Sequence, residues 1–189
     1  MKTINLLIFV VLSALVSKVS AEELTASTQK SEITWVGKKV GGQHNGTVGL
    51  KSGSIVVKND VISGGEFVVD MSTIKNLDLE SEEYNQKLVN HLKSDDFFGV
   101  AKHPEAKLVI KGKSPLKNGK ATVKGDLTIK GITHPVTFDV TKEGNTYAAN
   151  INIDRAKYDV RYGSGSFFDN LGDKVIDDIF VLGVTLVVE

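Results

Sequence analysis

The sequence predicts a mainly β protein of about eight antiparallel strands, with one α-helix over about 80–93 set between two blocks of them. Three observations carry this. Apolar residues recur with a period of two through most of the chain, as where Val123, Leu127 and Ile129 alternate with Lys124, Asp126, Thr128 and Lys130. Turn-forming residues punctuate the strands: Lys58-Asn59-Asp60, Lys117-Asn118-Gly119 and Glu143-Gly144-Asn145 each offer Asn or Gly for a tight reversal. Helical spacing occurs in one stretch, where Tyr84, Leu88 and Leu92 sit four apart and Glu82, Glu83, Gln86 and Lys93 turn away.

The chain opens with Lys2, an apolar run from Ile4 to Val16, and the small residues Val19, Ser20 and Ala21. That order describes a secretory signal peptide cut after Ala21. As a helix the run would span only about 20 Å, against a hydrocarbon core of roughly 30 Å, so an uncleaved anchor fits poorly. Residues 22–189 are then the mature domain, secreted or periplasmic, with no membrane span of its own. They are long enough for one domain with a proper core.

Charge and cysteine content narrow the function. Lys and Arg together number 23, as do Asp and Glu. Lys2 and Lys18 leave with the leader, so the mature domain is slightly acidic and has no basic excess to hold nucleic acid. Cysteine is absent. Disulfides, thiolate metal sites and cysteine nucleophiles are therefore ruled out, and stability must come from burial and sheet hydrogen bonds.

In chain order, the strand-like segments begin with SEITWVGKKV, which places Ile33 and Trp35 on one face. GTVGLKSGSIVVKND and VISGGEFVVDMSTI follow, the latter with Phe67, Val69 and Met71 on one face and Val68 and Asp70 on the other. The helix ends near Ser94, in a turn carrying Phe97, Phe98 and His103-Pro104. AKLVIKGKS, ATVKGDLTIKG, HPVTFDVTKEG, TYAANINIDRA and DDIFVLGVTLVVE complete the set. Val136, Phe138 and Val140 face in; Thr137, Asp139 and Thr141 face out. Charged outer faces do not suit lipid, which excludes an outer-membrane barrel and leaves a two-sheet sandwich or a closed soluble barrel. Glycines inside strand patterns, at 37, 49, 53, 65, 125 and 183, favour the barrel, because closure needs bulges and sharp bends. Gly125, Ala149 and Gly183 are read as small inward residues that leave room inside.

Catalytic patterns are weak. His44, His91, His103 and His134 show no metal-ligand spacing. Ser164-Gly165-Ser166 lacks the frame of a nucleophile elbow. The Asp pairs at 95–96 and 177–178 read as a helix exit and a strand entry.

Several stretches together resemble the YceI-like family: ITWVGKKVGGQHNGTV, GGEFVVDMSTI, LVNHLKSDDFFGVAKHPEAKLVIK, VKGDLTIKGITHPVTFDV and ANINIDRAKYDV. The resemblance runs in order from Ile33 to Val188. Its most specific parts are the helix followed by LKSDDFF and the HPEA turn, and the opening W-x-G-x-K followed by H-x-G. It implies an elongated, lipocalin-like barrel with the helix packed at one opening. It also implies a lipid ligand, an isoprenoid, a quinone or another long-chain amphiphile, held in an internal tunnel without any other cofactor. The expected lining is Ile33, Trp35, Phe67, Val69, Met71, Leu108, Ile110, Val123, Leu127, Ile129, Phe138, Ile151 and Ile153, with Leu88, Leu92, Phe97 and Phe98 closing one end. The candidates for a polar head group are Arg155, Tyr158, Arg161, Tyr162 and His44. A guanidinium fork suits phosphate or carboxylate oxygens, though Arg155 can equally pair with Asp154 or Asp159. His44 fits the H-x-G position and either bonds a head group or locks its own turn.

Three functions follow: a lipid carrier or scavenger, an enzyme using His44 or Arg155 inside the same barrel, or a stress-related structural protein with a filled core. A homodimer is left open.

Overall fold

The computed structural model describes residues 21–189, so the leader read from residues 1–21 lies almost wholly outside them. The strands are β1 (Glu22–Thr25), β2 (Glu32–Lys39), β3 (Gly42–Lys58), β4 (Val61–Asn76), β5 (Glu105–Lys111), β6 (Ser114–Pro115), β7 (Lys120–Ile129), β8 (Ile132–Glu143), β9 (Thr146–Asp154) and β10 (Ile176–Val187). The helix α1 (Glu82–Lys93) joins β4 to β5, and 3-10 turns at Arg155–Tyr158 and Gly172–Lys174 lie between β9 and β10.

Eight strands close into an antiparallel barrel in the order β2-β10-β9-β8-β7-β5-β4-β3, with β3 returning to β2. The sandwich alternative is thereby excluded. The two short extra strands extend existing edges: β1 runs along β3 beyond β2, and β6 along β4 beyond β5. The Asn59-Asp60 and Asn118-Gly119 reversals place both central residues at positive φ, the backbone that matches strand twist. Lys130-Gly131 does the same between β7 and β8, although nothing in the lysine marks it.

The long strands β3 and β4 curve through bulges, with register shifts between Thr47 and Gly49, Leu50 and Ser52, and Val56 and Val57. At the first of these the wall is pinched. A Cβ on Gly46 would sit 1.8 Å from the Lys75 carbonyl oxygen and 2.7 Å from the Trp35 indole, which itself donates Nε1–H to that oxygen (3.1 Å). Only glycine fits there. Gly125 faces in as expected, but the Leu108 side chain already leans over it. Gly183 faces the other way: its missing Cβ would meet Thr34 Oγ1 at 2.6 Å, since Leu182 and Val184 take the inner positions.

Ser81 caps α1, its Oγ accepting the Tyr84 amide, and Glu82 and Glu83 lie in the first turn where the helix dipole favours acids. The inward stripe differs from the expected one by a residue. Val89 and Leu92 are buried, whereas Tyr84 is 62% exposed. Asn85 occupies the inner position instead, its Nδ2 donating to the Asn76 and Leu79 carbonyls and tying the helix to the β4–α1 linker.

Gly46→Ala should lower unfolding stability by at least about 2 kcal/mol, as an overpacked site with a rigid carbonyl neighbour demands. Gly112→Ala, with nothing within 4 Å of the added carbon and only its positive φ to strain it, should cost less. Urea denaturation of both variants checks this.

Candidate functional site: an apolar tunnel

The inner faces of the eight strands do not meet. They enclose a cavity of about 220 Å³ along the barrel axis. Among the expected residues, Ile33, Trp35, Phe67, Val69, Met71, Leu92, Phe97, Phe98, Leu108, Ile110, Val123, Leu127, Ile129, Phe138, Ile151 and Ile153 border it. Leu88 does not; it packs on the core from α1 while Leu92, one turn on, reaches the cavity. The sequence reading passed over a further set. Val48, Leu50 and Ile55 come from β3, Ile62 and Ile74 from β4, Tyr147 from β9, and Phe180, Leu182, Val184 and Leu186 from β10. The β10 residues alternate cleanly, so periodicity could have found them.

The helix end of the tunnel is plugged by aromatics. Phe97 and Phe98 meet edge to face at 5.3 Å, Phe98 meets Phe180 at 6.3 Å, and His91 meets Phe97 at 5.7 Å. Such pairs add to the burial that holds the plug together. The Phe97-Phe98 turn leaves α1 through amides bonded back to the Ser94 and Leu92 carbonyls.

Arg155 borders the tunnel at this end but is 2% exposed, and its guanidinium is spent on the protein. Nε donates to the Asp177 carbonyl (3.0 Å), Nη1 to those of Val160 (2.8 Å) and Tyr162 (2.9 Å), and Nη2 to that of Ile176 (3.0 Å). Nη2 also lies 3.4 Å from Asp178 Oδ1, and the guanidinium carbon 5.5 Å from the Phe97 ring centre. Burial pushes its pKa down, opposed by Asp178, Asp177 and Asp154. The group is a clamp on residues 160–162 and 176–178, with no fork left for a ligand. Burial also disfavours the charged form of Asp178, but hydrogen bonds from Ser164 and Ser166, with Arg155 beside it, hold it below the usual carboxylate range.

The other head-group candidates scatter. Tyr158 is 2% exposed and sits edge-on to His134 at 5.3 Å, outside the tunnel lining; burial and then Asp154 push its phenol up to about 12. Arg161 is exposed, bonded to Asp159 and stacked over Phe167. Tyr162 is half-exposed against His91. His44 lies away from the tunnel, with Nδ1 2.8 Å from Asp78 Oδ2. Burial works against the Asp78 charge, yet the Asn45 amide, His44 and Asn76 outweigh it and lower its pKa. His44 thus fastens the start of β3 to the β4–α1 linker.

One line of the wall is incomplete. β8 pairs with β9 only from Val140↔Ala149 to Glu143↔Thr146, so Ile132–Asp139 and Asn150–Asp154 part towards the helix end. The Arg155–Tyr158 turn packs into this seam, and Lys130 Nζ donates to the Asp159 carbonyl across it (2.8 Å). Among the described residues, no group of three or more His, Asp or Glu is placed to hold a metal ion, and no helix is long and apolar enough to cross a membrane.

A profile of the YceI-like domain matches residues 24–186. The chain belongs to the YceI-like family. A UPF0312 protein of Pseudomonas putida (strain W619) is 46% identical over 54 residues, 29% of this chain and 28% of that one. One from Shewanella denitrificans is 37% identical over 77 residues, 41% and 38% of the two chains. The matched stretches therefore span well under half the length of these relatives. The barrel is also similar to the crystal structure of BcnA from Burkholderia cenocepacia (TM-score 0.65, 23% identity, 86% of this chain and 98% of that one). A polyisoprenoid binding domain from Saccharophagus degradans, implicated in plant cell wall breakdown, follows at TM-score 0.59 and 14% identity, over 88% and 97% of the chains. At these identities the two structures speak for the fold of the YceI-like barrel.

Two predictions rest on this geometry. Arg155→Leu should destabilise the barrel by about 3–5 kcal/mol by leaving buried carbonyls unpaired and Asp178 without its counter-charge, and Arg155→Lys should rescue little, because an ammonium cannot make the fork. Urea denaturation, with hydrogen exchange over residues 155–178, reports both. Asp78, with a folded pKa below its ordinary 3.8, stabilises the fold above that value and loses this contribution as pH falls through the folded one. Asp78→Asn should cost about 1–2 kcal/mol near neutral pH, with the gap to the parent closing in strong acid.

Proposed function

We propose that this protein is a secreted or periplasmic carrier or scavenger that binds one isoprenoid, quinone or similar long-chain amphiphile in its tunnel, without catalysing a reaction on it. The observation that carries this reading is the apolar lining of the tunnel, to which all eight barrel strands contribute. Burying an apolar chain there yields about 0.8 kcal/mol for each methylene removed from water, and a dry channel of this kind asks for nothing else. The sequence at residues 1–21 supports export. The Saccharophagus relative of this fold, by its description a polyisoprenoid binding domain, supports the ligand class.

Size refines the reading. At about 220 Å³ the tunnel falls below the roughly 300–1,000 Å³ of drug-sized pockets. A slim extended chain suits it better than a fused ring system. A filled structural barrel fits less well, since a solid core would leave no such channel.

Native mass spectrometry of protein from its own host should detect a co-purifying lipid. Ala149→Phe, which fills the tunnel from β9, should reduce uptake of a long-chain isoprenoid more than tenfold while the far-ultraviolet dichroism stays that of the parent. A parent protein with no affinity for any long-chain lipid would defeat the proposal.

A further inference from the structure

At the end of the barrel remote from α1 the tunnel is closed by Ile55, Ile62, Val140 and Leu186, all buried and all apolar. Two polar side chains stand among them: Ser31, whose Oγ is bonded to the Val187 amide, and Tyr147. Tyr147, opposite Leu186 in β10 and two residues before Ala149 on the inner face of β9, borders the tunnel and is 3% exposed. Its hydroxyl is buried and has no hydrogen-bond partner. A buried hydroxyl without a partner costs free energy that tyrosine would avoid as phenylalanine, so the oxygen calls for an explanation.

We propose that Tyr147 selects the ligand: its hydroxyl donates a hydrogen bond to a neutral oxygen acceptor, of the ketone, ester or quinone carbonyl class, carried by the chain that fills the tunnel. This rests on the lipid-binding reading above and adds the head-group chemistry and its place. The polar end lies at the end remote from α1, away from Arg155, whose donors are already used.

The surroundings argue against an anionic head group. The fields of Asp60 and Glu22 reach Tyr147 and, with burial, oppose negative charge there. Lys142 is the cation nearest the ring, with Nζ 5.9 Å from its centre, but it is not part of the tunnel lining. A phosphate or carboxylate placed at this end would be desolvated without a paired cation, which is costly, whereas a carbonyl needs one donor and finds one. A headless hydrocarbon would leave the hydroxyl unpaired.

The test compares three prenyl probes of similar chain length: geranylgeranylacetone (a ketone), phytane (no head group) and geranylgeranyl phosphate. Each is titrated by displacement of a neutral fluorescent dye from the parent and from Tyr147→Phe. The parent should prefer the ketone to phytane by roughly tenfold, and the phosphate should bind more weakly than the ketone. Tyr147→Phe should erase the ketone preference and bind phytane at least as well. Should the variant not fold, the infrared carbonyl stretch of the ketone bound to the parent gives a separate reading, shifted to lower frequency by a hydrogen bond. An equal affinity for ketone and phytane in the parent, a preference that survives the substitution, an unshifted stretch, or tightest binding of the phosphate each overturns the assignment while leaving lipid binding intact. Failure of all three probes to bind the parent overturns the carrier reading as well.

Discussion

The structure depends on the way β3 shares its backbone. Over Gly42–Lys58 it bonds first to β2 and then to β1 along one edge, and to β4 along the other. That strand joins the last part of the sheet to the first, so that unpaired ladder edges in the barrel wall are confined to stretches such as the seam between β8 and β9. The closure is made through curvature: three register shifts bend β3 against β4, and Gly46 lets the Lys75 carbonyl and the Trp35 ring come closer than any side chain would allow. A ring of eight strands has an interior that side chains can either fill or leave hollow, and here the inner faces leave a channel.

The two ends of that channel are built on different principles. At the helix end, polar groups do structural work. Arg155 gathers four carbonyls from two segments, His44 and Asp78 tie β3 to the helix linker, and Phe97 and Phe98 form the greasy inner surface of the plug. Asp178 faces Arg155 there, although its buried Oδ1 accepts no hydrogen bond. At the other end the unpartnered oxygen is that of Tyr147.

The legible parts of this architecture are those where one local rule runs undisturbed. β7 keeps a strict alternation from Ala121 to Ile129, and its inner residues could be named from the sequence. β3 and β4 could not be followed so far, because each bulge inserts a residue and reverses which side faces in. Val48 and Leu50 point inward at even positions, but Ile55 does so at an odd one, after the shift at Ser52. Spacing marks the helix but not its inner face, since Asn85 sits inward by virtue of bonds to carbonyls that carry no sequence signature. Arg155 shows the same limit. At the end of an apolar strand it looks like a ligand-binding cation; the carbonyls that consume it belong to residues 5 to 22 positions away.

The split between β8 and β9 has a mechanical meaning. Where neighbouring strands are laddered, widening the bore means breaking hydrogen bonds, and the wall resists as a hoop does. Along Ile132–Asp139 the two strands are held apart by a wedge of side chains and a single lysine tether, so the circumference can yield there by sliding contacts with the ladder left whole. At this seam the girth of the barrel rests on side-chain packing and not on the ladder.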